Sequence, residues 1–130
     1  MTYLLDTNAC IDFIRDVGDV RRRMKSKPFR EFCISSIVFA ELMHGAKQSP
    51  NPDKHLPATE NFCKKFKVVY FDNSAAEAFG NVRLQLERNG LRIGAYDMLI
   101  AAHAKSLGLI CLTNDKGFYQ VNGLEVEDWR

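Results

Sequence analysis

The chain has 130 residues, 46% apolar and 26% charged, with a net charge of +2, which fits one globular domain spanning residues 1–130 and excludes a disordered or low-complexity chain. No apolar run approaches the ~20 residues of a membrane span. The N-terminus enters a strand-like run with no basic leader, so a cytoplasmic protein with no membrane association is expected.

Tyr3–Leu5 reads as the first strand, a short apolar run that ends abruptly at Asp6-Thr7-Asn8, residues that favour helix starts. Ala9–Arg15 is predicted as a short helix with Cys10, Ile11, Phe13 and Ile14 inward. Asp16–Asp19 is a turn, and Val20–Lys27 a second helix whose basic run reads as a solvated face in preference to a nucleic-acid patch. Glu31–Ile34 is the second strand, leaving through Ser35-Ser36, which cap the strongly apolar helix Ile37–Lys47. Gln48–Asp53, with Pro50 and Pro52, is the clearest loop, and Lys54–Lys65 a helix with Pro57 near its first turn. Val68–Phe71 is the third strand; Asp72-Asn73-Ser74 then cap a helix that runs to about Asn89 and closes at Gly90. Arg92-Ile93-Gly94 connects to the helix Ala95–Leu107, which ends at Gly108. Leu109–Leu112 is the fourth strand, leaving through Thr113-Asn114-Asp115. A helical turn over Phe118–Val121 and a final edge strand over Leu124–Val126 complete the chain.

Strands alternate with helices, and the strands are continuous apolar runs instead of half-polar alternations. That pattern predicts the α/β class: a single three-layer α/β/α domain around a central, mainly parallel sheet with right-handed crossovers. Ligands of such sheets bind outside the carboxyl ends of the strands, so chemistry is sought at the strand exits. Cys10, Cys33, Cys63 and Cys111 are widely spaced and form no C-x-x-C pair, which points to buried, reduced thiols and against zinc or disulfides.

Four acids stand out. Asp6 leaves the first strand and Asp115 lies just past the fourth, both on the carboxyl edge. Glu41 comes about one and a half turns into the helix after the second strand, and Asp97 opens the helix before the fourth. Each has a plainer explanation alone: Asp6 as a helix cap, Asp97 as an acid favoured by the helix dipole, Asp115 as a turn residue. Glu41 resists one, because it interrupts an apolar stretch with no lysine or arginine three or four residues away. An unpaired carboxylate near an apolar face is costly unless it protonates or binds a cation. Converging acids repel, and a hard divalent ion, Mg2+ or Mn2+, relieves that repulsion; the chemistry that follows is metal-assisted hydrolysis of a phosphodiester. With these four set aside, eighteen basic residues face twelve acidic ones, a surface that suits a polyanion.

Leu5-Asp6-Thr7-Asn8, Ile34-Ser35-Ser36 with Ala40-Glu41-Leu42 and Gly45, Ile93-Gly94-Ala95-Tyr96-Asp97 with Ile100-Ala101-Ala102-His103-Ala104, and Leu112-Thr113-Asn114-Asp115 together resemble the PIN-domain nucleases. Within them the likeness is to the VapC-type toxins of bacterial toxin–antitoxin modules, and it runs from Tyr3 to Trp129. The resemblance implies a Mg2+- or Mn2+-dependent endoribonuclease that cuts transfer RNA or other structured RNA and inhibits growth. It implies that Asp6, Glu41 and Asp97 hold metal and activate water, with Asp115 completing the set, and that Thr7, Asn8, Ser35 and Thr113 orient those acids or the phosphate. Many relatives carry an acid immediately before the phenylalanine, where this chain has Gly117. The partners implied are a cognate VapB-type antitoxin, laid along an apolar groove walled by Ile37–Met43 and Lys54–Lys65, and a second copy in a homodimer. DNA is met only through the antitoxin. Arg92, Lys116 and Arg15 are the candidates to hold RNA phosphates.

Three other readings compete. Asp6 as a phosphate-accepting nucleophile would call for a second Asp two residues on, where the chain has Asn8. Glu41-x-x-His44 has di-iron spacing but no second pair, and His44 and His103 read as structural or solvent-facing. A non-catalytic member of the fold, binding RNA or a partner, would not need all the principal acids.

Overall fold

A computed structural model describes all 130 residues. In chain order it contains β1 (Tyr3–Leu5), α1 (Thr7–Arg15), α2 (Val20–Lys25), a 3-10 turn at Phe29–Glu31, β2 (Phe32–Ser35), α3 (Ser36–Lys47), α4 (Pro52–Lys64), β3 (Lys67–Val69), α5 (Asn73–Arg88), α6 (Ala95–Leu107), β4 (Ile110–Leu112), a 3-10 turn at Lys116–Gln120 and β5 (Val126–Glu127). The strands form one sheet in the order β3-β2-β1-β4-β5, parallel at every pairing.

The path from β1 through β2 to β3 steps outward twice in one direction, then crosses back over β1 to β4. Right-handed crossovers put the helices of the first two steps on one face and α5 and α6 on the other. The contacts agree: α1 packs on α2, α3 and α4, and α5 on α6. The direction of winding therefore reverses between β1 and β4, where open α/β sheets hold ligands. Leu5 stands beside both Ile34 and Leu112. The next residues in register are Asp6, Ser35 and Thr113, so three strand exits share one edge.

An aromatic cluster fills the core below α1 and α4. The rings of Phe13 and Phe62 lie 5.3 Å apart, those of Phe62 and Phe66 4.9 Å, and Tyr3 and Trp129 continue the cluster at 4.9 Å. All four cysteines are buried and free. No helix is long and apolar enough to cross a membrane.

The boundaries differ from expectation where side chains claim backbone groups. β3 occupies Lys67–Val69 instead of reaching Phe71, whose amide donates to the Ser36 hydroxyl at 3.0 Å and leaves the ladder. β2 begins at Phe32 because Phe29–Glu31 coil into the 3-10 turn, and β5 sits two residues later, at Val126–Glu127. α4 reaches back to Pro52, which takes the first helical position where no N–H is needed; Pro57 lies inside the helix, one turn beyond the exposed Asp53. α2 stops at Lys25. Its arginines serve the fold. Arg21 donates to the Phe13 and Ile14 carbonyls at 2.8 Å each and closes α1, Arg22 pairs with Asp19 at 2.9 Å, and Arg23 lies 4.4 Å from the Trp129 ring centre.

Candidate active site

Asp6 is 2% exposed, between the end of β1 and the start of α1. Its Oδ1 accepts from the Ala9 amide at 2.8 Å, which makes it the cap of α1. Its Oδ2 accepts from the Thr113 hydroxyl at the end of β4. Burial pushes the Asp6 pKa up to about 6, the two hydrogen bonds oppose the rise, and the charges of Asp97 and Asp115 add to it. Each oxygen accepts one hydrogen bond and keeps a lone pair free.

Thr113 links two acids. Besides donating to Asp6, its hydroxyl accepts from the Asp115 amide at 2.9 Å, and Asp115 Oδ1 in turn accepts from the Gly117 amide at 2.8 Å. Asp97 stands in the first turn of α6, brought to the same edge because α6 runs back against the strands. Burial first, then the nearby Asp115 carboxylate within hydrogen-bonding reach, then Glu41, raise its pKa to about 6. Glu41 is held from α3 by the Thr7 hydroxyl at 2.7 Å. The four acids thus feel one another across the crevice between β1 and β4, without closing into a ready-made cation cage. The donor set fits a hard divalent ion: it is all oxygen, and a cation would offset the burial and mutual repulsion that raise the Asp6 and Asp97 pKa values.

The remaining candidates divide. Thr7 and Thr113 each hold an acid. Asn8 is exposed and makes no side-chain hydrogen bond to them. Ser35 touches none either: its hydroxyl accepts from the Ile37 amide at 3.1 Å to cap α3, and meets His103 Nδ1 at 2.8 Å. His103 is buried, not solvent-facing, and burial lowers its pKa, which disfavours the charged ring. Through Ser35 it ties α6, which bears Asp97, to the start of α3, which bears Glu41. A lone histidine in a run of small apolar residues carries no sequence signal of that tie. His44 is exposed on α3. Arg15, Arg92 and Lys116 are exposed, and none pairs with a protein carboxylate. A Cβ on Gly117 would lie 2.8 Å from Ile93 Cγ2 and 3.2 Å from Asp115 Oδ1, so no acid fits before Phe118 without moving Ile93. Beside Glu41 a cavity of about 450 Å³ opens between α1, α3 and α4, lined by Ile11, Ile14, Leu42 and Ala58 with Arg15 at its wall.

Two expectations follow. Asp6 and Asp97 carry pKa values raised from 3.8 to about 6 in the fold, so between about pH 4 and 6 the folded state binds more protons than the unfolded chain. The metal-free protein should therefore gain stability as pH falls from 7.5 to 5. His103, whose pKa is lowered, opposes this below pH 6.5 with a smaller shift. Thermal melts across that range in EDTA check it, and a Tm that falls steadily on acidification contradicts it. Thr113→Val keeps the shape but removes the hydroxyl from both Asp6 and Asp115. It should cost about 2 kcal/mol at pH 7.5 and lower activity roughly 10- to 100-fold, with Thr113→Ser restoring most of both in melts and initial rates.

The profile of the PIN domain family matches residues 3–124. A tRNA(fMet)-specific endonuclease VapC from Salmonella typhimurium is 38% identical over 131 aligned residues, covering 99% of this chain and 98% of the relative. Among solved structures, DNA-bound VapBC from Salmonella typhimurium superposes with a TM-score of 0.94 at 38% identity, covering 100% of this chain and 99% of that one. VapBC2 from Rickettsia felis, bound to a fragment of promoter DNA, gives 0.92 at 30% identity with full coverage of both chains.

Proposed function

The chain belongs to the PIN-domain family, and on that premise we propose that it is a VapC-type endoribonuclease whose acids at the β1–β4 crevice cut structured RNA of the transfer-RNA class. The observation that carries the site assignment is the hydrogen-bonded chain Asp6–Thr113–Asp115, with Asp97 coupled to it and Glu41 nearby. Asp6, Asp97, Glu41 and Asp115 are the residues that would hold Mg2+ or Mn2+. A divalent ion bound there supplies charge to a phosphoryl oxygen and makes water a better nucleophile at neutral pH.

The chain's own groups do the rest. Thr113 and the Ala9 amide keep Asp6 ionised against its burial and fix the direction of both its oxygens. Thr7 turns Glu41 towards the same crevice. Asp97, presented by the first turn of α6 beside Asp115, would complete the ion's oxygen ligands with Asp6. Arg92 and Lys116, free of intramolecular partners, draw phosphates to the acidic crevice.

The protein acts as a growth inhibitor neutralised by a cognate VapB-type antitoxin, and meets DNA only through that partner. The cavity beside Glu41 is the seat for an apolar antitoxin segment, with α1 as a wall in addition to α3 and α4. A homodimer belongs to the same reading. Incubation of the purified protein with total RNA, followed by mapping of new ends, tests the activity. Discrete fragments that disappear with Asp6→Asn support it, and intact RNA with the wild type overturns it.

A further inference from the structure

We propose that a second cavity, between the end of α5 and the start of α6, receives an unstacked nucleobase of the RNA next to the scissile phosphate. This rests on the ribonuclease reading and extends it to how substrate is recognised. The cavity measures about 530 Å³, within the range that encloses a small organic ligand. Its apolar lining comes from Leu86, Leu91, Ile93 and Met98.

Two features place it beside the acids. Met98 directly follows Asp97, and Ile93 packs so closely on Gly117 that a Cβ there would stand 2.8 Å from its Cγ2 and 3.2 Å from Asp115 Oδ1. A nucleotide whose phosphate sits among Asp6, Asp97 and Asp115 has this cavity as its neighbouring recess.

The charges at the wall fit the same occupant. Arg92 is exposed and pairs with no carboxylate, leaving it free for a phosphate or for stacking on a base plane. Glu87 lies 3.7 Å from Arg83 Nε, and the pair presents an acceptor and a donor side by side. A carboxylate beside a guanidinium can take an amino group or ring N–H together with a neighbouring acceptor of a base edge, so the pair is placed to read the base by the order of its donors and acceptors.

The test maps cut sites in total RNA, then measures kcat and KM on one short RNA copied from a mapped site and on its three variants at each position flanking the cut. Leu91→Trp fills the cavity; Arg92→Ala and Glu87→Gln are exposed changes that carry the test should Leu91→Trp fail to fold, as judged by its melting curve. The expected result is a base preference at one flanking position for the wild type. Leu91→Trp should raise KM at least tenfold with kcat within a factor of three, Arg92→Ala should raise KM, and Glu87→Gln should change the base preference. KM and base preference unchanged in the folded variants overturn the base site while leaving the nuclease intact. A change of oligomeric state in Leu91→Trp with RNA kinetics untouched assigns the cavity to a protein contact and also overturns it. No cleavage by the wild type removes the nuclease reading and this one together.

Discussion

Asp97→Asn should lower RNA cleavage at least 1,000-fold, about 4 kcal/mol of barrier, while making the metal-free protein more stable at pH 7.5. The two effects share a cause. Asp97 is pushed up to about 6 by burial and by Asp115 and Glu41, so at pH 7.5 the fold carries an ionised group it disfavours. Asn keeps the shape and removes the charge. A two-unit shift corresponds to about 3 kcal/mol, and partial exposure to water reduces it to about 1–2 kcal/mol, a rise of several degrees in Tm for a domain this size. The gain should shrink as pH falls through 6 and vanish only near pH 4, where the carboxyl is protonated in the unfolded chain as well. Initial rates on RNA and paired melts at the two pH values check this. A variant that cuts at the wild-type rate removes Asp97 from the machinery, and one that loses stability at pH 7.5 shows that the acids do not repel as described.

Removal of divalent ions should be equally severe. In EDTA, cleavage should fall to background, and millimolar Mg2+ or Mn2+ should restore it, because the mutual repulsion of Asp6, Asp97 and Asp115 leaves no protein cation to take the ion's place. The same ions should stabilise the wild type at pH 7.5 by about 1.4 kcal/mol at ten times their Kd, seen as a rise in Tm, and leave Asp6→Asn nearly unmoved. Cleavage that persists after exhaustive chelation contradicts the metal assignment.

The sheet and its acids were legible for physical reasons. Strands buried on both faces must be continuous apolar runs, so a carboxylate that ends one, as Asp6 does after Leu5, marks an edge. Glu41 was legible because nothing on its own helix neutralises it. Partners far along the chain were not. Asp6 meets Thr113 across 107 residues and Ser35 meets His103 across 68, and no local preference encodes either. Ser35 was expected near the acids and stands in register with Asp6, yet its hydroxyl is spent on α3 and His103. The end of β3 was misplaced because Ser36, from another element, takes the Phe71 amide. The pairing of Arg21 with the end of α1 and of Arg23 with Trp129 likewise depends on tertiary contacts.

The place of β1 in the sheet also sets a schedule. It is among the first residues made, yet it lies at the centre, and the neighbour that supplies Thr113 and Asp115 comes from the last fifth of the chain. While a ribosome adds residues at ~5–20 per second, Asp6 waits without its hydroxyl partner, and the acids have no common edge until β4 slots in beside β1. Such distant pairings also slow closure of the fold. The crevice proposed to cut RNA therefore cannot assemble until synthesis is nearly done.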